Sequence, residues 1–447
     1  MNSVIKNLLI DRVGTNGYGI GFAEGKTIFV PFTMIGDRVD VELTHIKSDI
    51  AFGHVSHYCS RAEGYRIPDC EAFGNLSRCG GCDWLMTDYT TQLRNKDTII
   101  RGIFEPLTDS DKILPTIAAP AQYHYRNKAF MPVSVTDNDL CYGIYERFSH
   151  KVVSHQDCKI QNAVFDPISR KILDICRNAG IKAYNEITDK GTLRHIGVRV
   201  SAMDSSILVI LVTKAARLPF SNLLVKELTE AFPNIVGIVQ NIQRMPGNVI
   251  IGDEDKVLWG LPYLVDSIGT TMYRIHYRSF FQINHGITEL LYAYLRKQLK
   301  PNAGVIDAYC GIGTIGLYLG DVAGSVLGIE EVPEAIADAE YNAELNQIHN
   351  CSFICGKVDQ VLQDQTLISG IDSIILDPPR KGIEASTIDF ISAAGIPQVV
   401  YVSCNPMTLA RDLKLFLQAG YELDELQPFD MFPQTWHVET VAVLHKK

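Results

Sequence analysis

At 447 residues the chain exceeds what one hydrophobic core serves, so two or three domains are expected. Hydrophobic residues make up 46% and charged residues 21%, values that exclude a disordered or low-complexity chain, and no apolar run approaches the ~20 residues of a membrane span. The net charge of −10 sits in one place: residues 301–447 hold 7 Lys/Arg against 20 Asp/Glu, leaving 34 against 31 before them, so a nucleic-acid partner is not excluded for the front region.

The N-terminal MNSVIKNLLIDRVG has too short an apolar stretch for a signal peptide, and a cytoplasmic protein is expected. In a reducing compartment its 11 cysteines read as metal ligands, catalytic thiols or small core residues rather than disulfides. Residues 1–58 alternate apolar and polar positions in short runs such as KTIFV and RVDVEL, with glycines at 14, 17, 19, 21, 25 and 36 between them. That pattern predicts a small antiparallel barrel. The segment GYGIGFAEGKTIFVPFTMIGDRVDVEL resembles a TRAM domain, which implies an oligonucleotide-barrel-like RNA-binding module.

Next, Cys70, Cys79 and Cys82 form C-x8-C-x2-C, with Gly80 and Gly81 leaving room for a tight loop around a metal or a cluster; a fourth ligand is needed. A helix over residues 87–104 follows, then β-rich sequence to Gly269, so residues 59–269 are expected to form a middle α+β domain. Its basic groups Arg126-Asn127-Lys128 and Arg194-His195 are compatible with phosphate contacts but equally with a solvated face, and receive no site role.

From residue 270 to 447 the pattern becomes strand, Gly-rich turn, helix, repeated in GVIDAYCGIGTIGLYL, SVLGIEEVPEAIADAEYNA, SIILDPPRKG and VVYVSCNPMTLARDLKLFL. This predicts an α/β, Rossmann-like domain with a parallel sheet covered by helices on both faces. In such sheets ligands gather at the carboxyl ends of the strands, and the first strand-to-helix turn is glycine-rich. DAYCGIGT (residues 307–314) has two glycines rather than G-x-G-x-x-G, so an adenosyl ligand other than a dinucleotide is expected. Glu330 ends the second strand where a ribose diol would be held, and Asp377-Pro378-Pro379 closes the strand Ile374-Ile375-Leu376. The Asp-Pro-Pro element resembles the fourth-strand motif of S-adenosylmethionine-dependent methyltransferases. Amino-group methyltransferases usually carry an aromatic residue next, where this chain has Arg380.

Val399 to Asn405 (VVYVSCN) place a cysteine between a strand and a turn, at the sheet edge where chemistry is normally found. A helix over 407–417 is expected to aim its N-terminus at the Cys404 thiol and lower its pKa; a small buried cysteine is the alternative. YVSCNPMTLARDL resembles the nucleophile motif of the RNA uridine-C5 methyltransferases, and DMFPQTWHVETVAVL resembles the motif that carries their proton-abstracting Glu. The resemblance covers nearly the whole chain, most closely the TRAM-domain, iron–sulfur-containing 23S rRNA enzymes.

That resemblance implies Cys404 as nucleophile and Glu439 as proton acceptor, with His437 on the same side of a strand. It implies cofactor contacts from Gln282 (in SFFQIN), Tyr309, Thr314, Glu330 and Asp377. It also supplies Cys158 as the fourth ligand of a [4Fe–4S] cluster with Cys70, Cys79 and Cys82, although the first gap is longer than the family's five-residue spacing. A four-cysteine zinc site is the alternative that spacing leaves open. The C-x3-C-x2-C signature of radical enzymes is absent, so a structural or RNA-positioning cluster is expected. A TRAM domain together with a cluster points within this family to ribosomal RNA as partner, with transfer RNA second, and a monomer is expected. A DNA cytosine-C5 methyltransferase would have its cysteine after proline, where this chain has Ser403, and a non-catalytic RNA-binding protein would need neither Cys404 nor Glu439.

Overall fold

The computed structural model describes residues 4–74, 79–364 and 366–447. Its first sheet has six strands, ordered Val4–Leu9, Arg38–Ile46, Ile50–Ser60, Lys26–Val30, Gly19–Ala23 and Arg12–Val13. Alternation sets the inward face: Lys26–Val30 turns Ile28 and Val30 toward the interior, where they meet Ile10, Val39, Val41 and Ala51.

The second sheet runs Glu254–Gly260, Ile235–Ile242, Ile207–Thr213, Leu193–Val200, Lys128–Thr136, Asp139–Tyr145 and Val152–Ser154. Its inner strand Ile207–Thr213 (ILVILVT) is buried at every position, and the reason is that both faces are covered. Val209 and Leu211 pack under the helices Phe165–Asn178 and Ser221–Ala231. Leu208, Ile210 and Val212 face the other way, into a core shared with Tyr273, Tyr277 and Tyr292 of the C-terminal half.

The third sheet is ordered Cys351–Cys355, Ser325–Glu330, Gly304–Ala308, Ser373–Leu376, Gln398–Ser403, Glu439–Lys446 and Tyr421–Phe429. The first five strands are parallel and the last two antiparallel. The helix Pro406–Gln418 begins with proline at its first turn and is capped by Asn405, whose side chain accepts from the Met407 N–H at 3.2 Å. Its Leu409, Leu413 and Phe416 are buried at helical spacing. The helix Tyr89–Phe104, which precedes the second sheet in sequence, packs Ile100 and Phe104 into this same C-terminal core. Among the described residues no helix is long and apolar enough to cross a membrane.

Candidate active site

Cys404 follows the last residue of the strand Gln398–Ser403 and is half-buried. That strand pairs antiparallel with Glu439–Lys446, and the final pair in register is Ser403 with Thr440. One further step along the two strands sets Cys404 beside Glu439. The turn is held firmly: the Asn405 N–H donates to Ser403 Oγ at 3.2 Å, and the Asn405 amide and the Thr408 hydroxyl both donate to the Arg380 carbonyl at 3.2 Å. These bonds bring the segment after Asp377-Pro378-Pro379 against the thiol.

The electrostatics overturn one expectation. Burial first, then the Glu439 carboxyl, push the Cys404 thiol up to about 11; the Arg380 guanidinium opposes them by its charge and a hydrogen bond. The resting thiol is therefore neutral, where a lowered pKa was expected. Burial is the largest cause of that shift. Burial also pushes Glu439 well above the ordinary carboxylate range, with Asp377 adding to the shift and Arg380 opposing it. Arg380 is thus the cation that Cys404 and Glu439 share, a place that sequence reasoning did not assign to it. His437 is also placed differently from expectation. The strand begins only at Glu439, so His437 lies in the preceding loop, its ring tilted against that of Trp436 with centroids 4.2 Å apart.

The Gly-rich turn forms a second part of the site. Tyr309 and Gly311 both have positive φ, 65° and 55°, and a Cβ built at Gly311 meets nothing within 4 Å, so the turn borders open space. Glu330 accepts from the Gly311 N–H at 3.1 Å and the Val332 N–H at 3.0 Å, which fixes its carboxylate beside that turn. Asp307 is fully buried; one oxygen accepts from the Gly316 N–H at 2.7 Å and the other has no partner. Burial, with Asp377 and Glu330 nearby, pushes Asp307 up to about 7, and burial does the same to Asp377. Three gathered carboxyls with an orphaned oxygen suit a cationic ligand and repel a pyrophosphate. Thr314 opens the next helix, its hydroxyl accepting from Tyr292 at 3.0 Å, and partial burial of Tyr309 pushes its phenol up to about 12. Gln282 is buried, and its carbonyl accepts from the Asn127 amide at 2.9 Å.

Between the second and third sheets runs a cleft walled by Arg126, Lys128, Phe130 and His195 on one side and Arg380, Phe432 and His437 on the other. Gly80-Gly81, between Cys79 and Cys82, also line it. Sequence reasoning assigned the basic pairs no role because their convergence depends on strand pairing: Lys128 lies opposite Arg199 and Pro132 opposite His195. Burial, and then Arg199, drive the Lys128 ammonium well below its usual range.

Cys70, Cys79, Cys82 and Cys158 line one cavity, with Ala72, Phe73, Leu85, Ile144 and Ile160 as its apolar wall. All four are free thiols, and burial raises the pKa of each. Backbone N–H groups point at three of the sulfurs: Ala72 and Phe73 at Cys70, Gly81 at Cys79, and Ile160 and Gln161 at Cys158. Among the described residues, however, no three His, Cys, Asp or Glu side chains converge as ligands of a single metal ion.

A family model described as tRNA (uracil-5-)-methyltransferase matches residues 88–447, and a TRAM domain model matches residues 5–56. The chain is 37% identical over 452 residues to an uncharacterized RNA methyltransferase of Halalkalibacterium halodurans, covering 100% of this chain and 98% of that protein. It is 36% identical over 460 residues to an uncharacterized RNA methyltransferase of Staphylococcus aureus, covering 100% of both. Among solved structures it is similar to the Pyrococcus abyssi tRNA (uracil-54, C5)-methyltransferase in complex with S-adenosyl-L-homocysteine: TM-score 0.80, 25% identity, 98% of this chain and 99% of that one.

Proposed function

The chain belongs to the tRNA (uracil-5-)-methyltransferase family, and from that premise we propose that it methylates C5 of a uridine in 23S ribosomal RNA, with Cys404 as nucleophile and Glu439 as proton acceptor. The observation that carries this reading is the strand register that sets Cys404 beside Glu439, with Arg380 acting on both.

Uracil C5 is too electron-poor to be methylated directly. The Cys404 thiol gives its proton to solvent, helped by Arg380, and the sulfur adds to C6, which makes C5 an enolate carbon. S-adenosylmethionine, when bound, supplies the methyl group. Gln282, Tyr309, Thr314, Glu330 and Asp377 hold it, and the carboxyls gathered around Asp307 match its positive charge. Glu439, having given its own proton to solvent, then takes the C5 proton, and the C6–S bond breaks to return the thiolate. Burial of Glu439 suits that step, since a raised pKa makes the carboxylate a stronger base once it is ionised.

Cys70, Cys79, Cys82 and Cys158 are assigned to a [4Fe–4S] cluster. Their common cavity and the N–H groups aimed at sulfur support thiolate ligands, and the choice of a cluster over zinc rests on the resemblance to the iron–sulfur-containing members of the family. Such a cluster would act here as a cross-link between the segments that bear Cys82 and Cys158.

Ribosomal RNA is favoured by the presence of a TRAM barrel and a four-cysteine site in one chain. The transfer-RNA reading has the full-length likeness to the Pyrococcus enzyme on its side. Mapping 5-methyluridine in a strain lacking the gene decides between them. Loss from 23S rRNA is expected; loss from transfer RNA alone would establish the second reading, and no loss from either would sink both. RNA with 5-fluorouridine at the target should accumulate as a covalent protein adduct, because Glu439 cannot remove fluorine as a proton.

A further inference from the structure

The loop 430–438 joins the last two strands and delivers the chain to Glu439. It is held by one face of the helix Tyr89–Phe104, more than three hundred residues away in sequence. Tyr89, Gln92 and Lys96 lie three and four residues apart and so project from one side of that helix. Lys96 is completely buried, as is its partner Asp430. Its ammonium donates to Asp430 Oδ1, to the Phe432 carbonyl at 3.1 Å and to the His437 carbonyl at 2.9 Å. All three of its donors are therefore engaged by the beginning, the middle and the end of one loop. Tyr89 donates to the other Asp430 oxygen at 2.8 Å.

Gln92 forms a two-way lock with the loop. Its amide donates to Gln434 Oε1 at 2.9 Å, and its oxygen accepts from the Gln434 N–H at 3.0 Å. Gln434 holds φ 69°, a left-handed conformation that a non-glycine residue keeps only when its surroundings impose it. The same residue is tied to the cysteine segment: its carbonyl accepts from the N–H groups of Asp83 and Trp84 at 2.9 and 3.0 Å, immediately after Cys82. A buried lysine used only as filler would be replaced by an apolar side chain at lower desolvation cost. Here it satisfies loop carbonyls that have no sheet partner.

We propose that Gln92 and Lys96 are positioning residues for proton removal: they set the shape of loop 430–438 and thereby aim the Glu439 carboxylate at C5, with Gln434 linking that geometry to the Cys82 segment. The inference rests on the assignment of Glu439 as proton acceptor. Neither side chain belongs to the cofactor pocket. Its loss should therefore slow elimination while leaving addition and methyl transfer in place.

The test uses the full-length protein with unmodified total RNA from a strain lacking the gene. Gln92→Leu is compared with Lys96→Met/Asp430→Asn, in which both charges are removed together so that neither is left buried alone. Turnover should fall ~10²-fold, the scale of a misplaced catalytic group, and the covalent methylated adduct should accumulate on ordinary RNA, as it should in Glu439→Gln. Binding of S-adenosylhomocysteine should stay within about twofold of the parent, since the cofactor pocket is untouched. Slow turnover without adduct, or turnover at the parent rate in both variants, would overturn the proposal. If Glu439→Gln itself gives no adduct, the assignment of Glu439 falls, and this proposal with it; adduct in Glu439→Gln alone removes only the positioning role.

Discussion

Cys404 stands between two regions of opposite charge. On the side of the Gly-rich turn, Asp307, Glu330 and Asp377 gather with no cation among the groups that shift Asp307 or Asp377. On the cleft side stand Arg126 and Arg380, beside Lys128 and His195, which burial drives toward their neutral forms. A chain of net charge −10 can therefore present a polyanion with a basic wall while keeping its acids for a cation. Arg380 lies on the boundary and acts on both Cys404 and Glu439.

The largest expected effect removes the chemistry and leaves both regions intact. Cys404→Ala should give no product and no adduct on 5-fluorouridine RNA, while affinity for RNA and for S-adenosylhomocysteine is retained. Glu439→Gln should be slower by ~10²–10⁴-fold yet trap adduct on ordinary RNA. A Cys404→Ala protein that still methylates at a substantial rate would end the thiolate mechanism for this chain.

Next in size is the acidic side. Asp377→Asn should weaken S-adenosylhomocysteine binding by about tenfold or more in calorimetry, the usual worth of a charge-assisted hydrogen bond, with RNA affinity unchanged. A matching loss of RNA affinity would show that the two regions are not separable. Smaller again is the basic side: Arg126→Gln with Lys128→Gln should reduce the slope of log affinity against log salt by roughly 0.7 for each phosphate no longer neutralised. Cofactor affinity should not move. An unchanged salt slope would remove the cleft from the RNA path.

The subtlest outcome is a pair of opposite pH trends. Asp307 and Asp377 lose their protons near pH 7, so affinity for the cationic cofactor should rise as pH passes through about 7. Lys128 is depressed well below the usual lysine range, and RNA favours its charged form, so RNA affinity should fall as pH rises. Stability of the cofactor-free protein follows the carboxyls. Their folded pKa of about 7 lies above the unfolded 3.8, so the stability they contribute is complete below 3.8 and is lost as pH climbs to about 7. Thermal melts across that window, with and without S-adenosylmethionine, would show the ligand stabilising more at the alkaline end.

Much of this arrangement could be read along the chain, because its signals are contiguous. The strand, turn and capped helix around Cys404 are written into VVYVSCNPMTLARDL, and the observed strand Gln398–Ser403 and helix Pro406–Gln418 extend the expected limits by a residue or so. The stop at Asp377 and the acid that ends Ser325–Glu330 were legible for the same reason. What could not be read was the state of the thiol. A helix N-terminus is visible in sequence; the exclusion of water that raises the thiol is not.

The sequence by itself determined the periodicities, the turns, the caps and the residues available for chemistry, since each depends on neighbours a few positions apart. Tertiary structure alone decided which of these meet. It carried Lys96 to Asp430 across 334 positions, set Thr440 opposite Ser403, and drew four cysteines around one cavity. The physical reason is that strand pairing and burial are properties of surfaces brought together by a shared core. A carboxyl near 7 and a thiol near 11 arise only once those surfaces have excluded water.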